Sequence, residues 1–246
     1  MYLASSLQQR FQGLILGLAM VPLLQKGTHS LQSQADSLDQ AIVQLELAQL
    51  DRFLQGPDTY LAAPLTQPLQ FDYPSNLSVE ERLLLSALPL LVRHHSNREM
   101  RQRWLKIVLS PQHLSTYPSL LYFGDVLAAS LRGPDSQGLF QEIPTQTMQI
   151  HPAVEMAAHQ LTKLPTDYRV AVRLARSQSA IAASLVGGLL GAAGGRGFLP
   201  MLWQLPTAPL ARPLSSLLNL ANSLFNLWGG LPITCQVYPA LGTDLS

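Results

Sequence analysis

The sequence predicts an all-α fold, a single compact multi-helix domain. Apolar residues recur at helical spacing in one segment after another, and capping residues stand where those segments open. No run alternates polar and apolar residues with the period of two that a half-buried strand requires. No self-similarity repeats at a fixed interval of 20–50 residues, so a solenoid or propeller is not expected.

The elements follow in chain order. "LQQRFQGLILGLAMVPLLQ" begins amphipathic and becomes wholly apolar, which predicts a helix with a buried second half, ended or interrupted at Pro22. Lys26 to Gln34 reads as a loop. "DSLDQAIVQLELAQLDRFLQ" carries Leu38, Ala41, Ile42, Leu45, Ala48 and Leu50 near a 3.6 period, with Asp36 as its N-cap and Gly56-Pro57 as its stop. Asp58 to Pro74 is a Pro-rich surface loop. In "SVEERLLLSALPLLVRHH", Ser78 and Glu81 form a capping box, and Pro89 should kink the helix. Further helices are expected over "SNREMRQRWLKIVL", "SLLYFGDVLAASL" and "HPAVEMAAHQL", and one continuous helix over "DYRVAVRLARSQSAIAASLVGGLLGAAGG". "PLSSLLNLANSLFNLW", closed by Gly229-Gly230, is the clear late helix, and the tail to Ser246 reads as loop. The expected organisation is a helical domain over 1–205 and a Pro-rich section over 206–246 whose helix packs on that domain.

Composition narrows the function classes. A chain of 246 residues is long enough for a real core. Its net charge of +1 supplies no field for gathering nucleic acid or anionic lipid. The single cysteine, Cys235, excludes an internal disulfide and a multi-cysteine zinc site, which fits a cytoplasmic protein. "GLILGLAMVPLL" has the length of a signal-peptide core, but it lacks a basic cluster before it and a small-residue cleavage site after it. The stretch from Ser177 to Gly195 holds no charge and contains glycines four apart, Gly187, Gly191 and Gly195. That spacing is also a membrane packing motif. Its Ala, Gly and Ser content is too weakly hydrophobic for a preferred bilayer span.

Standard catalytic motifs are absent: no nucleophile elbow, P-loop or H-E-x-x-H. His94-His95 reads as a solvated pair at a helix C-terminus, favoured by the helix dipole, in preference to a metal-ligand pair. "NREMRQRWLK" brings Arg98, Arg101, Arg103 and Lys106 around Trp104, a set able to touch phosphate, but the interleaved Glu99 favours a plain solvated helix face. Asp36 and Asp39, three apart on a first helical turn, are weak candidates for a divalent-cation site. The simpler reading is that they satisfy free N–H groups and the dipole. Trp203, Phe225 and Trp228 read as packing residues before they read as an interaction surface.

Four segments, in order, resemble the ADP-ribosylglycohydrolase family, the dinitrogenase reductase-activating glycohydrolase group. "RFQGLILGLAMVPLL" is similar to the family's opening helix. "ADSLDQAIVQLELA" is similar to the helix bearing its first acidic motif, and "LLLSALPLLVRHH" to a helix with a proline at the position of Pro89. "VRLARSQSAIAASLVGGLLGAAGGRGFLPMLW" is similar to the most specific stretch, with Gly187, Gly191, Gly195 and Pro200 near the pattern. Together they cover most of Arg10 to Leu205. The resemblance implies an all-α fold, two divalent metal ions held by Asp, Glu and Thr, and removal of ADP-ribose from modified side chains.

The residues that would carry that chemistry have changed. Val21-Pro22-Leu23 stands where the pattern has Gly-Asp-Ala. Registering on Gly187, the two metal-binding aspartates become Gln178 and Ala180, and the threonine becomes Ile181. No adjacent aspartate pair survives beside Asp36 and Asp39, and the family's arginine position reads Ser86 or a neighbour. A Mg²⁺ or Mn²⁺ centre needs hard oxygen donors with carboxylate charge, and these positions supply one neutral carbonyl. The resemblance therefore implies a vestigial site at Gln178, Ala180 and Ile181, no resident cofactor, and a binding or scaffold role with a protein partner or an ADP-ribose-like ligand. Nucleic acid and membrane are not expected partners. Two other readings stand beside it. An active hydrolase would recruit Mg²⁺ or Mn²⁺ through Asp36, Asp39, Glu80 and Asp125. A membrane-associated protein would insert the uncharged stretch from Ser177 to Gly195.

Overall fold

A computed structural model of the chain describes residues 5–25, 33–57, 74, 76–132, 149–163, 167–205, 210 and 212–230. Nine α-helices occur among them, and no strand. They are α1 (Leu7–Met20), α2 (Ser33–Gln55), α3 (Val79–Arg93), α4 (Arg98–Val108), α5 (Tyr117–Arg132), α6 (Pro152–Lys163), α7 (Tyr168–Arg176), α8 (Ala180–Gly194) and α9 (Leu214–Trp228).

Local chemistry sets the ends of these helices. Ser6 and Gln9 form a capping box that opens α1, and Ser78 and Glu81 form the one that opens α3. After Met20 the chain tightens into a 3-10 turn, Val21–Gln25, where Pro22 withholds a backbone donor. α2 opens at Ser33, so Asp36 lies inside the helix and is not its N-cap. Pro89 sits buried within α3. The single helix expected over Tyr168 to Gly195 is two. α7 ends at Arg176, and Ser179 starts α8 by accepting from Ala182 N at 2.9 Å. Ser177 and Ser179 favour local hydrogen bonds over helix continuation, and this breaks the run. The loop expected over Asp58 to Pro74 and the tail beyond Gly230 lie outside the described residues, apart from Pro74.

α8 is the axis of the molecule. Every residue from Ile181 to Ala192 is buried, and the helix touches α1, α2, α5, α6 and α7. Its closest neighbour is α1. A Cβ added at Gly13 would stand 1.9 Å from the carbonyl oxygen of Gly191, and one at Gly191 would stand 2.0 Å from that of Gly13. Gly17 meets Gly187 in the same way at 2.2 Å. The two backbones are therefore in direct contact, which only glycine permits. Tyr168 Oη, brought in by α7, donates to Gly17 O at 2.5 Å and caps the crossing. The glycine spacing thus serves helix packing inside a protein core. No helix among the described residues is long and apolar enough to cross a membrane.

α9 closes the bundle over α1, reaching α2 and α3. Phe225 and Trp228 meet Phe11 with ring centroids 5.7 and 6.4 Å away, and Trp228 lies 5.1 Å from the His95 ring. Trp228 Nε1 donates to Ser96 Oγ at 3.2 Å. These two aromatic residues pack, as expected. The side chain of Trp203 lies outside the described residues.

Candidate functional site

The candidate site is a buried polar seam between α2 and α8. α2 places Asp39, Glu46 and Gln49 on its inward face, seven and then three residues apart, which is near-integral helical turns. All three are at most 1% exposed. Asp39 marks the outer end. The C-terminal end of α7 delivers Arg176 to it, with Nε 3.1 Å from Asp39 Oδ2. The Arg176 side chain keeps about a fifth of its surface in solvent, whereas that of Asp39 keeps almost none.

Glu46 lies two turns deeper. Ser184 Oγ, from the middle of α8, donates to Glu46 Oε2 at 2.5 Å, and Glu46 Oε1 has no hydrogen-bond partner among the described residues. Burial pushes the Glu46 carboxyl up to about 8, with the Ser184 hydrogen bond opposing weakly. At neutral pH this side chain is mostly the neutral acid. The seam therefore runs from a charged, partly wet mouth to a dry, proton-holding interior.

The vestigial positions divide around that mouth. Gln178 is exposed in the turn, Ala180 is half-buried, and Ile181 is part of the core at 1% exposure. Ser86 is buried, with its hydroxyl donating to Arg82 O at 2.8 Å. The side chain of Asp36 lies outside the described residues. The other two acids of the hydrolase reading do not join Asp39. Glu80 is exposed on the first turn of α3. Asp125, on α5, accepts from Arg98 Nε at 3.0 Å and from Arg101 Nη2 at 2.6 Å. Among the described residues no three His, Cys, Asp or Glu side chains are placed to hold a metal ion. Beside Asp39 the structure places the positive charge of Arg176.

Two other expectations need correction. His94-His95 is not a solvated pair. His95 is 3% exposed, donates from Nδ1 to Val92 O at 2.9 Å, and stands edge-on to Phe11. Burial, with Arg101 and Arg132 adding to it, lowers its basicity. His94 is half-buried against Trp104. Burial and the charges of Arg93, Arg101 and His95 pull its imidazolium down to about 4. α4 is likewise not a plain solvated face. Arg103 and Lys106 are exposed, but Arg101 is 2% exposed and Trp104 is half-buried.

Glu46, Gln49 and Ser184 escaped the sequence reading, although Glu46 carried a signal. Ile42, Glu46 and Leu50 are successive i+4 neighbours, and Phe53 continues the row, so a carboxylate stands inside an apolar stripe. Arg176 carried none, since any arginine before an uncharged run reads as its solvated boundary. Comparison with family models, curated proteins and solved structures gives no match to this chain.

Proposed function

We propose that the chain is a degenerate ADP-ribosylglycohydrolase-like protein that acts by binding, as a scaffold or a receptor for an ADP-ribose-like ligand, without metal-dependent hydrolysis. The Arg176–Asp39 ion pair carries this reading. The resemblance puts metal ligands on α2 and at the start of α8, and in this chain that junction is closed by a guanidinium on a buried carboxylate. A divalent cation and an arginine compete for the same negative charge, and the arginine is covalently present. The neighbouring Gln178, Ala180 and Ile181 add no negative charge to outcompete it. Loss of hydrolysis leaves a packed fold with a polar mouth, which suits a binding role.

The test is calorimetric titration of the whole chain with Mn²⁺ and with ADP-ribose, beside an assay for release of ADP-ribose from ADP-ribosylated arginine. The expected outcome is no metal-binding heat and no release at any Mn²⁺ concentration. Metal-dependent release that disappears in Asp39→Ala would overturn the proposal and restore the hydrolase.

A further inference from the structure

The two sides of α7 differ in chemistry. Its sequence, "YRVAVRLAR", holds three arginines and no acid. Tyr168, Ala171, Val172 and Ala175 form the buried side, and the helix packs on α8. The opposite side carries two rows of exposed residues. Arg169 and Arg173 make one row, and Val170 and Leu174 make the other. Residues four apart are neighbours on a helix surface, so each row is a ridge. Arg173 also follows Val170 by three, which makes the ridges adjacent, with a groove between them.

The apolar ridge is well out in solvent: Val170 is 59% exposed and Leu174 52%. One exposed aliphatic residue is ordinary on a protein surface, whereas two in a ridge beside two cations make a patterned face. The charge of the cationic ridge is weakly answered. Asp167, the N-cap of α7, spends Oδ1 on Arg169 N at 2.8 Å. The Arg169 guanidinium reaches the same oxygen only at 3.8 Å, with about half of each side chain in solvent. An ion pair of that kind is worth at most about 1 kcal/mol and yields to a better-placed carboxylate. Arg173 has no acid in ion-pair range among the described residues.

We infer that this face of α7 docks an acidic amphipathic helix of a protein partner. The partner seats an aliphatic ridge in the groove and sets Asp or Glu side chains against Arg169 and Arg173. Charge complementarity fixes the sign of the partner, and carboxylates match the guanidinium fork. The apolar ridge requires aliphatic side chains next to those acids, which a nucleic-acid backbone does not offer. Two aliphatic residues are too few to hold the face in a bilayer, where binding scales with buried apolar area. The buried side fixes α7 in place, so the face is formed before the partner arrives. A nine-residue helix is about 14 Å long, which suits a small, transient interface. The face shares no residue with the α2–α8 seam, so the inference does not rest on the glycohydrolase reading, and its failure would leave that reading untouched.

The probe is a displayed library of short helical peptides randomised along one face. It is selected on the whole chain with the Leu174→Asp chain in excess as competitor. Enriched peptides should carry aliphatic residues four apart with Asp or Glu beside them. Binding of one such peptide, followed by fluorescence anisotropy, should weaken as salt is raised and fall about ten-fold in Arg173→Glu. Lys in place of one of the peptide's acids should then restore affinity for the Arg173→Glu chain. Both substituted positions are exposed, so both variants should fold as the natural chain does, checked by circular dichroism. No enrichment, or enrichment of neutral or basic peptides, would overturn the inference. So would undiminished binding to folded Arg173→Glu, or a loss that no Lys replacement repairs. Two further results would overturn it by naming another occupant. Sedimentation with phosphatidylserine–phosphatidylcholine vesicles that Arg173→Glu abolishes would give the face to a membrane. Self-association of the chain that Leu174→Asp abolishes would give it to a second copy.

Discussion

Glu46 holds its proton because its carboxyl group is fully buried and, among the described residues, only one hydroxyl answers it. Ser184 satisfies one oxygen, and the cost of ionising the acid in that setting raises its pKa to about 8. In the unfolded chain the same group ionises near 4.5. The folded protein therefore binds a proton that the unfolded chain has released, over the window between those values. Stability falls as pH rises through that window. Glu46→Gln keeps an acceptor for Ser184 and removes the ionisation. Each pH unit across the window is worth about 1.4 kcal/mol, so the substitution should raise stability at pH 8 by roughly 3–5 kcal/mol and change little at pH 4.5. Urea unfolding at the two pH values measures this, and an equal effect at both would show that burial of the charge is not the cause. Asp39 differs in having a guanidinium beside it, that of Arg176. Periodicity made Asp39 legible as a candidate and left Glu46 unread, because a carboxylate on a helix is ordinarily assigned to the wet face.

At the scale of elements, the α1–α8 crossing decides the architecture. Alanine is the better helix former by about 1 kcal/mol, so Gly191→Ala would stabilise a loosely packed helix. Here the added Cβ lands 2.0 Å from the Gly13 carbonyl oxygen, and the oxygen belongs to a backbone that cannot rotate away. The helices must separate, at a cost of about 1–3 kcal/mol or more, and this outweighs the propensity gain. Gly191→Ala should therefore lower the melting temperature by several degrees. Gly197→Ala, whose Cβ meets nothing within 4 Å, should leave it nearly unchanged. Scanning calorimetry of the pair checks this, and equal melting temperatures would mean that the two backbones are not in contact. The sequence announced these glycines by their spacing but not their partners. A small-residue stripe reads alike for membrane and core, and it does not name the facing Gly13 and Gly17. The break between α7 and α8 was hidden for a related reason. Arg176-Ser177-Gln178-Ser179 has no Gly or Pro, and the capping by Ser179 is one hydrogen bond that competes with helix continuation.

For the whole molecule, an all-helical chain was legible because each amphipathic segment repeats the same instruction, and the caps at Ser78 and Gly229 agree with it. The site was less legible, because it is made by pairs distant in sequence. Arg176 with Asp39, Ser184 with Glu46 and Arg101 with Asp125 each join helices that local patterning treats separately. These buried groups also give the fold a defined response to pH. Glu46 makes stability decline as pH rises between 4.5 and about 8. His94 acts from the other side. Its folded value near 4 lies below its ordinary 6.5, so the unfolded chain binds more protons in that interval and stability declines as pH falls. His95 is displaced in the same direction. Between 4.5 and 6.5 the Glu46 and His94 slopes oppose one another. Above 6.5 Glu46 contributes a falling slope of about 1.4 kcal/mol per pH unit. Stability should therefore fall from pH 6.5 towards pH 8. Glu46→Gln should convert that alkaline fall into a plateau. Unfolding free energies measured from pH 4 to 9 on both proteins provide the check. A natural chain as stable at pH 8 as at pH 6.5 would show that the Glu46 carboxyl reaches solvent or a neighbouring cation.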